Sequence, residues 1–230
     1  MTKKASGHTI NNEGMIHILG NTCSLLSHYM AELRDQEIQR DSLRFRRNME
    51  RMGEIFAYEI SKTLAWEKKE VITSLGVAQC DVLVQQPVIA TILRAGLPLH
   101  QGLLNAFDRA ENAFISAYRK HRKDGRFDVH VEYFSSPLLT GKPLILSDPM
   151  LATGASMILS YKGLLQKGKP LHTHIVAILA SNQGVEYVRR NMPDDNYTMW
   201  LGAVDDELTA KAYIVPGLGD AGDLAFGSKL

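Results

Sequence analysis

Apolar and polar positions follow two different rhythms along the chain, and the change between them divides it. From about Thr22 to Leu64 the rhythm is helical. After Asp41, which suits an N-cap, Phe45, Met49, Met52, Phe56, Ile60 and Leu64 recur at three- and four-residue steps. Arg44, Arg47, Glu50, Arg51 and Glu54 fall largely off that face, so the segment predicts an amphipathic helix. Ahead of it, Met15-Ile16-His17-Ile18-Leu19 predicts a short strand ending at Gly20-Asn21, and the polar residues 1–14 predict a mobile start. From Asp81 onward short β-rich runs alternate with helical stretches. Strands are predicted at 88–93, 113–118, 144–146, 174–180 and 197–204, and helices at 97–107, 156–166 and 185–191. The run His174–Ala180 is almost continuously apolar, which suits a parallel strand covered on both faces. The alternation therefore predicts an α/β fold with a doubly wound, mostly parallel sheet. One segment departs from it: Phe127–Phe134 alternates at period two after Lys123-Asp124-Gly125 and predicts a hairpin arm.

Composition narrows the function classes. The 230 residues suit one domain, and 26 Lys+Arg against 25 Asp+Glu leave a net charge of +1. That balance offers no general attraction for nucleic acid or a membrane surface, so any phosphate binding must be local. Two cysteines, Cys23 and Cys80, have no metal-ligand spacing and make no disulfide framework. With no apolar leader or span in the sequence, a cytoplasmic location is expected.

The chemistry concentrates after the predicted strand Leu144-Ile145-Leu146. Ser147-Asp148 is followed by Pro149-Met150-Leu151-Ala152-Thr153-Gly154-Ala155-Ser156, where a helix begins. An acid at the carboxyl end of a buried strand faces the crevice where open α/β sheets bind ligands. A helix start offers unpaired N–H groups and a positive dipole end to a phosphate. Gly154 lets the backbone curl, and the Thr153 and Ser156 hydroxyls add donors. Asp148 would then meet a group beside the phosphate, such as ribose hydroxyls. The pattern is neither a P-loop nor a dinucleotide fingerprint.

Asp-Pro-Met-Leu-Ala-Thr-Gly-x-Ser resembles the phosphoribosyl diphosphate loop of the uracil phosphoribosyltransferase family, and Pro149 in second place is a mark of that branch. Three more segments resemble the same family. Ile92-Leu93-Arg94-Ala95-Gly96-Leu97 is similar to its diphosphate loop, with Arg94 offering a planar fork. Ala117-Tyr118-Arg119 is similar to its second arginine site, with the basic run through Lys123 as a flap over the site. Tyr213–Asp223 resembles its uracil-recognition hood, in which glycines let backbone N–H and C=O groups approach the edge of the base.

The resemblance implies a type I phosphoribosyltransferase fold over residues 1–230. Its expected parts are an N-terminal arm and helices (1–80), a core sheet (81–205) and the hood (206–230). It also implies transfer of the 5-phosphoribosyl group from 5-phospho-α-D-ribose 1-diphosphate (PRPP) to uracil, giving UMP and diphosphate. PRPP would be held by Arg94, Arg119, Asp148, Pro149, Met150, Leu151, Ala152, Thr153, Gly154, Ala155, Ser156 and Asp220, and uracil by Ile214, Gly219, Asp220 and Ala221. Asp148, Asp220 and Arg94 are the expected catalytic residues. Mg²⁺ is the implied cofactor, met by Asp220 through PRPP and water, and a homodimer or homotetramer is the implied assembly. No histidine is needed, and His172 and His174 read as strand-edge residues.

The sequence departs from the family pattern at three places. Ala155 stands where a second Gly is usual, which is tolerable if its φ is negative. Ala212 stands where Gly is usual, and a positive φ would strain it. Leu224 replaces a usual basic residue. A rival reading is a regulator that keeps the fold and binds nucleotide or RNA with little or no turnover. An orotate or purine specificity would require a different hood and two adjacent acids in the loop.

Overall fold

The computed structural model describes residues 15–121 and 127–228. In chain order its elements are β1 (Met15–Ile18), α1 (Leu25–Arg34), α2 (Ser42–Ser61), β2 (Trp66–Thr73), β3 (Gly76–Leu83), β4 (Val88–Leu93), α3 (Leu97–Ala106), β5 (Glu111–His121), β6 (Phe127–Ser135), β7 (Leu144–Ser147), β8 (Met150–Leu151), α4 (Ala155–Leu164), β9 (Thr173–Ser181), α5 (Asn182–Asn191), β10 (Tyr197–Asp205), β11 (Glu207–Leu208), β12 (Ile214–Val215) and α6 (Ala221–Phe226). The expected segment 1–14 and the turn at 123–125 lie outside the described residues.

The main sheet runs β1-β10-β9-β7-β4-β5-β6, with β8 paired to β9. Its pairings are parallel except that β6 runs antiparallel to β5, as the period-two segment predicted. Side chains alternate between two core layers. On β9, Val176 and Ile178 join the layer of α1, α2 and α3, whereas Ile175 and Ala177 join the layer of α4 and α5. The sheet is thus covered on both faces, which explains why its central strands read as continuous apolar runs.

The topology fixes where the site lies. From β4 the chain moves to β5 on one side, while β7 pairs on the other. The loops leaving β4 and β7 therefore diverge at a topological switch point, the crevice in which such sheets bind ligands. The register sets Thr91 opposite Ser147, so the loops that carry Arg94 and Asp148 leave neighbouring strands at the same end of the sheet.

The predicted caps and faces form as expected. The Asp41 carboxylate accepts from the N–H groups of Leu43 (3.0 Å) and Arg44 (3.1 Å), and Phe45, Met49, Met52, Phe56 and Ile60 are buried. Buried Glu32 joins α1 to α2, accepting from Arg44 Nε (2.9 Å), Arg44 Nη2 (2.6 Å) and Asn48 Nδ2 (2.6 Å). Those hydrogen bonds, Arg44 first, bring its carboxyl down to about 2.

Two expectations need correction. Residues 66–83, where no element was predicted, form the antiparallel hairpin β2–β3, closed by the Thr73 hydroxyl accepting from Leu75 and Gly76 N–H. Most of the hairpin is exposed on both faces, so no burial rhythm marks it in the sequence. His174 is not at a strand edge but buried in β9, where its Nδ1 accepts from Trp200 Nε1 at 3.1 Å. The Trp200 ring also stacks on His17, with ring centroids 4.3 Å apart.

Burial, then the neighbouring His172 and His17, lower the His174 pKa to about 3. A histidine kept neutral in the fold contributes stability that is complete above the unfolded value of about 6.5 and is lost as pH falls toward 3. The melting temperature of the wild-type chain should therefore fall over that window more steeply than that of His174→Gln, whose amide oxygen still accepts from Trp200 but does not titrate. Parallel thermal melts from pH 7 to pH 3.5 check this; coincident profiles would rule it out.

Candidate active site

At the end of β7 the Asp148 N–H donates to Val176 O (3.1 Å), and Asp148 Oδ1 accepts from Met150 N–H (3.2 Å). The chain then crosses onto β9: Pro149 O accepts from Leu179 N–H (2.9 Å), and β8 pairs with Leu179 and Ala180. Leu151 and Ala152 turn their side chains into the two core layers, so each has only backbone to offer a ligand. The Thr153 hydroxyl accepts from Ala155 N–H at 3.4 Å. Gly154 caps α4 with φ 77°, the left-handed region that favours glycine, and Ala155 opens the helix itself. Among the described residues Ala212 is the non-glycine with positive φ, so the missing glycine at Ala155 imposes no backbone strain.

The loop is buttressed by residues that sequence reasoning did not single out. Ser181, the last residue of β9, donates from its hydroxyl to Ala152 O (2.6 Å) and accepts from Gly184 N–H (2.9 Å). Gly184 in turn lies so close to the loop that a Cβ there would meet Leu151 O and Ala152 O. The local sequence Ser181-Asn182-Gln183-Gly184 signals only a helix start.

Arg94 follows β4 through a cis Leu93–Arg94 peptide. Its Nη2 donates to Asp223 Oδ1 (2.9 Å) and Gly227 O (2.6 Å), joining the β4 loop to the C-terminal hood. Its Nε is buried without a hydrogen-bond partner, so the guanidinium is incompletely satisfied in this state. The close approach at Gly96 is to its own strand, since a Cβ there would meet Thr91 Oγ1 and Ile92 O. Arg119 lies on β5, opposite Val129 in the backbone pairing; its side chain and those of His121 and His130 lie outside the described residues.

The hood is built from β11, β12 and α6. Ile214 and Ala221 bury their side chains in the core, so each has only backbone to offer a ligand. Asp220 caps α6, its Oδ1 accepting from Asp223 N–H at 3.0 Å. Leu224 packs partly buried against the core. Arg46 donates to Ala225 O at 2.6 Å, and Arg34 to Gly217 O at 2.9 Å. Ala212 adopts φ 60°, so the strain expected of alanine there is present. Ala212→Gly should relieve it and stabilise the chain by roughly 1 kcal/mol, a rise of about 2–4 °C in melting temperature for a chain of this size. Differential scanning calorimetry reads it directly, and a fall in melting temperature would contradict the strain.

A parallel sheet with an acid–Thr–Gly loop opening a helix beyond β7, beside an arginine leaving the neighbouring strand at the switch point, defines a phosphoribosyltransferase. Residues 21–228 match the uracil phosphoribosyltransferase family. A uracil phosphoribosyltransferase of Porphyromonas gingivalis is 57% identical over 216 residues, covering 94% of this chain and 99% of that one. One of Pyrococcus furiosus is 35% identical, covering 86% and 84%. The solved structure of a protein from Aquifex aeolicus superposes with a TM-score of 0.82 at 29% identity, over 94% of this chain and all of that one. The chain belongs to the uracil phosphoribosyltransferase family.

Proposed function

We propose that this chain transfers the 5-phosphoribosyl group of PRPP to uracil, forming UMP and diphosphate in pyrimidine salvage. The observation that carries the reading is the ion pair of Arg94 with Asp223, which draws the diphosphate-type loop after β4 to the hood. With the β7 loop alongside, the expected phosphate, diphosphate and base sites would share one crevice.

In this reading the loop Asp148–Ser156 holds the 5-phosphate on the α4 N-terminus and Asp148 holds the ribose hydroxyls. Arg94 and Arg119 hold the diphosphate. The backbone at Ile214, Gly219 and Ala221 reads uracil, and Asp220 contacts both substrates. The bond from C1 of the ribose to diphosphate oxygen breaks as the bond to the uracil nitrogen forms on the opposite face. Asp148 screens positive charge developing on the ribose, and hood N–H groups stabilise the negative charge left on the uracil ring as its N–H proton passes to solvent.

The carboxylates suit a magnesium ion that arrives with its substrate. No group of three or more His, Cys, Asp or Glu able to cage a metal occurs among the described residues, and Mg²⁺ is commonly held by one or two carboxylates plus substrate phosphates. Asp220 would meet it through PRPP and water, and when bound it neutralises charge on the diphosphate.

We read the whole chain as one phosphoribosyltransferase unit that self-associates as a dimer or tetramer. Ile72 (87% exposed) and Leu75 (98%) on the β2–β3 hairpin are apolar surface suited to a second copy. No described helix is long and apolar enough to cross a membrane. The free thiols of Cys23 and Cys80 suit a reducing cytoplasm, where we place the protein.

The test is UMP formation from uracil and PRPP with Mg²⁺, run beside cytosine, orotate and hypoxanthine. Turnover with uracil alone is expected; no UMP, or turnover with another base, would refute the assignment.

A further inference from the structure

Asp205 is the last residue of β10 and Arg34 the last of α1, 171 positions apart in sequence. They meet as a fork: Arg34 Nη1 donates to Asp205 Oδ2 and Arg34 Nη2 to Asp205 Oδ1, both at 2.7 Å. Gly217 is gripped between them. Its carbonyl accepts from Arg34 Nη1 (2.9 Å) and its N–H donates to Asp205 Oδ2 (2.9 Å). With both polar groups of one peptide position bound to an ion pair on the sheet and α1, the hood backbone cannot slide without breaking charge-assisted bonds.

We propose that Arg34 and Asp205 are positioning residues for uracil, a latch that fixes the base-reading backbone by gripping Gly217. The inference rests on the reading of the hood given above. Gly217 stands midway between Ile214 and Asp220, so a shift there displaces both sides of the base-reading segment. The other arginine contacts on the hood lie further along it: Arg46 binds Ala225, and Arg94 binds Asp223 and Gly227.

The side chains of the pair are 25% and 8% exposed, which limits screening by solvent. Burial pushes the Asp205 carboxyl up, but the Arg34 fork and the Gly217 N–H outweigh it and hold the carboxyl below its ordinary value. A carboxylate already accepting three hydrogen bonds is a poor base. Its position at the carboxyl end of β10 therefore serves geometry rather than proton transfer.

The latch predicts a split between the two substrates. Arg34→Lys keeps the charge but loses the planar fork, and Asp205→Asn keeps the shape but loses the charge. In each, the KM for uracil should rise roughly 10- to 100-fold. The KM for PRPP and kcat at saturating uracil should change far less, because PRPP is held chiefly by the β7 loop and the two arginines, which neither group touches, and reaches the hood only through Asp220. Circular dichroism and thermal melts establish that the two variants are folded.

A folded variant with unchanged uracil KM, or with PRPP KM rising as much as uracil KM, would overturn the latch. Gly219→Ala separates this from failure of the hood reading. At φ 93° an alanine is strained whatever the space, so it should raise uracil KM independently of the latch. If Gly219→Ala raises uracil KM and the latch variants do not, the latch alone falls. If none of the three raises it, the hood reading falls with it.

Discussion

Asp148→Asn is expected to lower kcat by about 10²- to 10³-fold with little change in melting temperature. The substitution is informative because the residue has separable duties. Its Oδ1 accepts from Met150 N–H at 3.2 Å and so shapes the first turn of the loop, a bond that the Asn side-chain oxygen can also accept. The negative charge is what Asn lacks. If Asp148 stabilises a ribose that becomes cationic as diphosphate leaves, that charge acts mainly in the transition state, and its loss should fall on kcat more than on KM. Steady-state kinetics with both substrates varied would show the pattern. A variant whose KM for PRPP rises while kcat holds would make Asp148 a binding residue only.

Gly184→Ala should raise the KM for PRPP by at least about tenfold while leaving that for uracil nearly unchanged. Gly184 sits in the first turn of α5, where a Cβ would meet the carbonyl oxygens of Leu151 and Ala152. Those are backbone atoms of the loop after β7, and the Ser181 hydroxyl, itself bonded to Gly184 N–H, pins the same stretch through Ala152 O. A methyl group there must push the loop off the Ser181 hydroxyl or tilt α5 away. Overpacking of this kind typically costs 1–3 kcal/mol, so a melting temperature lower by several degrees should accompany the kinetic change. An unaltered KM for PRPP in the folded variant would show that the loop tolerates displacement.

Much of the fold was legible because burial writes a rhythm into the sequence. β4 forms over Val88–Leu93 as predicted, since a strand buried on both faces is apolar at nearly every position. α2 was legible for the complementary reason that one face is buried and the other is not. The β2–β3 hairpin lacks both signals. Its strands are largely solvated on both sides, so nothing selects which positions are apolar.

The site divides the same way. The loop Asp148–Ser156 and the hood Tyr213–Asp223 were legible because their chemistry sits in consecutive residues: an acid at a strand end, a glycine at a turn, hydroxyls at a helix start. Ser181 and Gly184 were not, because their partners lie some thirty positions upstream and the contacts are to backbone carbonyls, which carry no residue identity. Arg34 and Asp205 were not, because an arginine ending a helix and an aspartate ending a strand each have a satisfactory local explanation.

The sequence by itself determined most of the strands and helices of the main sheet and its two layers, that an acid–Thr–Gly loop opens a helix after β7, and that the chain resembles uracil phosphoribosyltransferases. It determined these because hydrogen bonding within a turn or helix start, and burial of a periodic face, are local constraints on neighbouring residues. The strand order that sets the β4 and β7 loops side by side was decided only by the tertiary structure. So were the buttress of α5 against that loop and the grip of Arg34 and Asp205 on Gly217. Each joins residues that the chain brings together only by closing long loops, and no short stretch of sequence records which distant partner a side chain will meet.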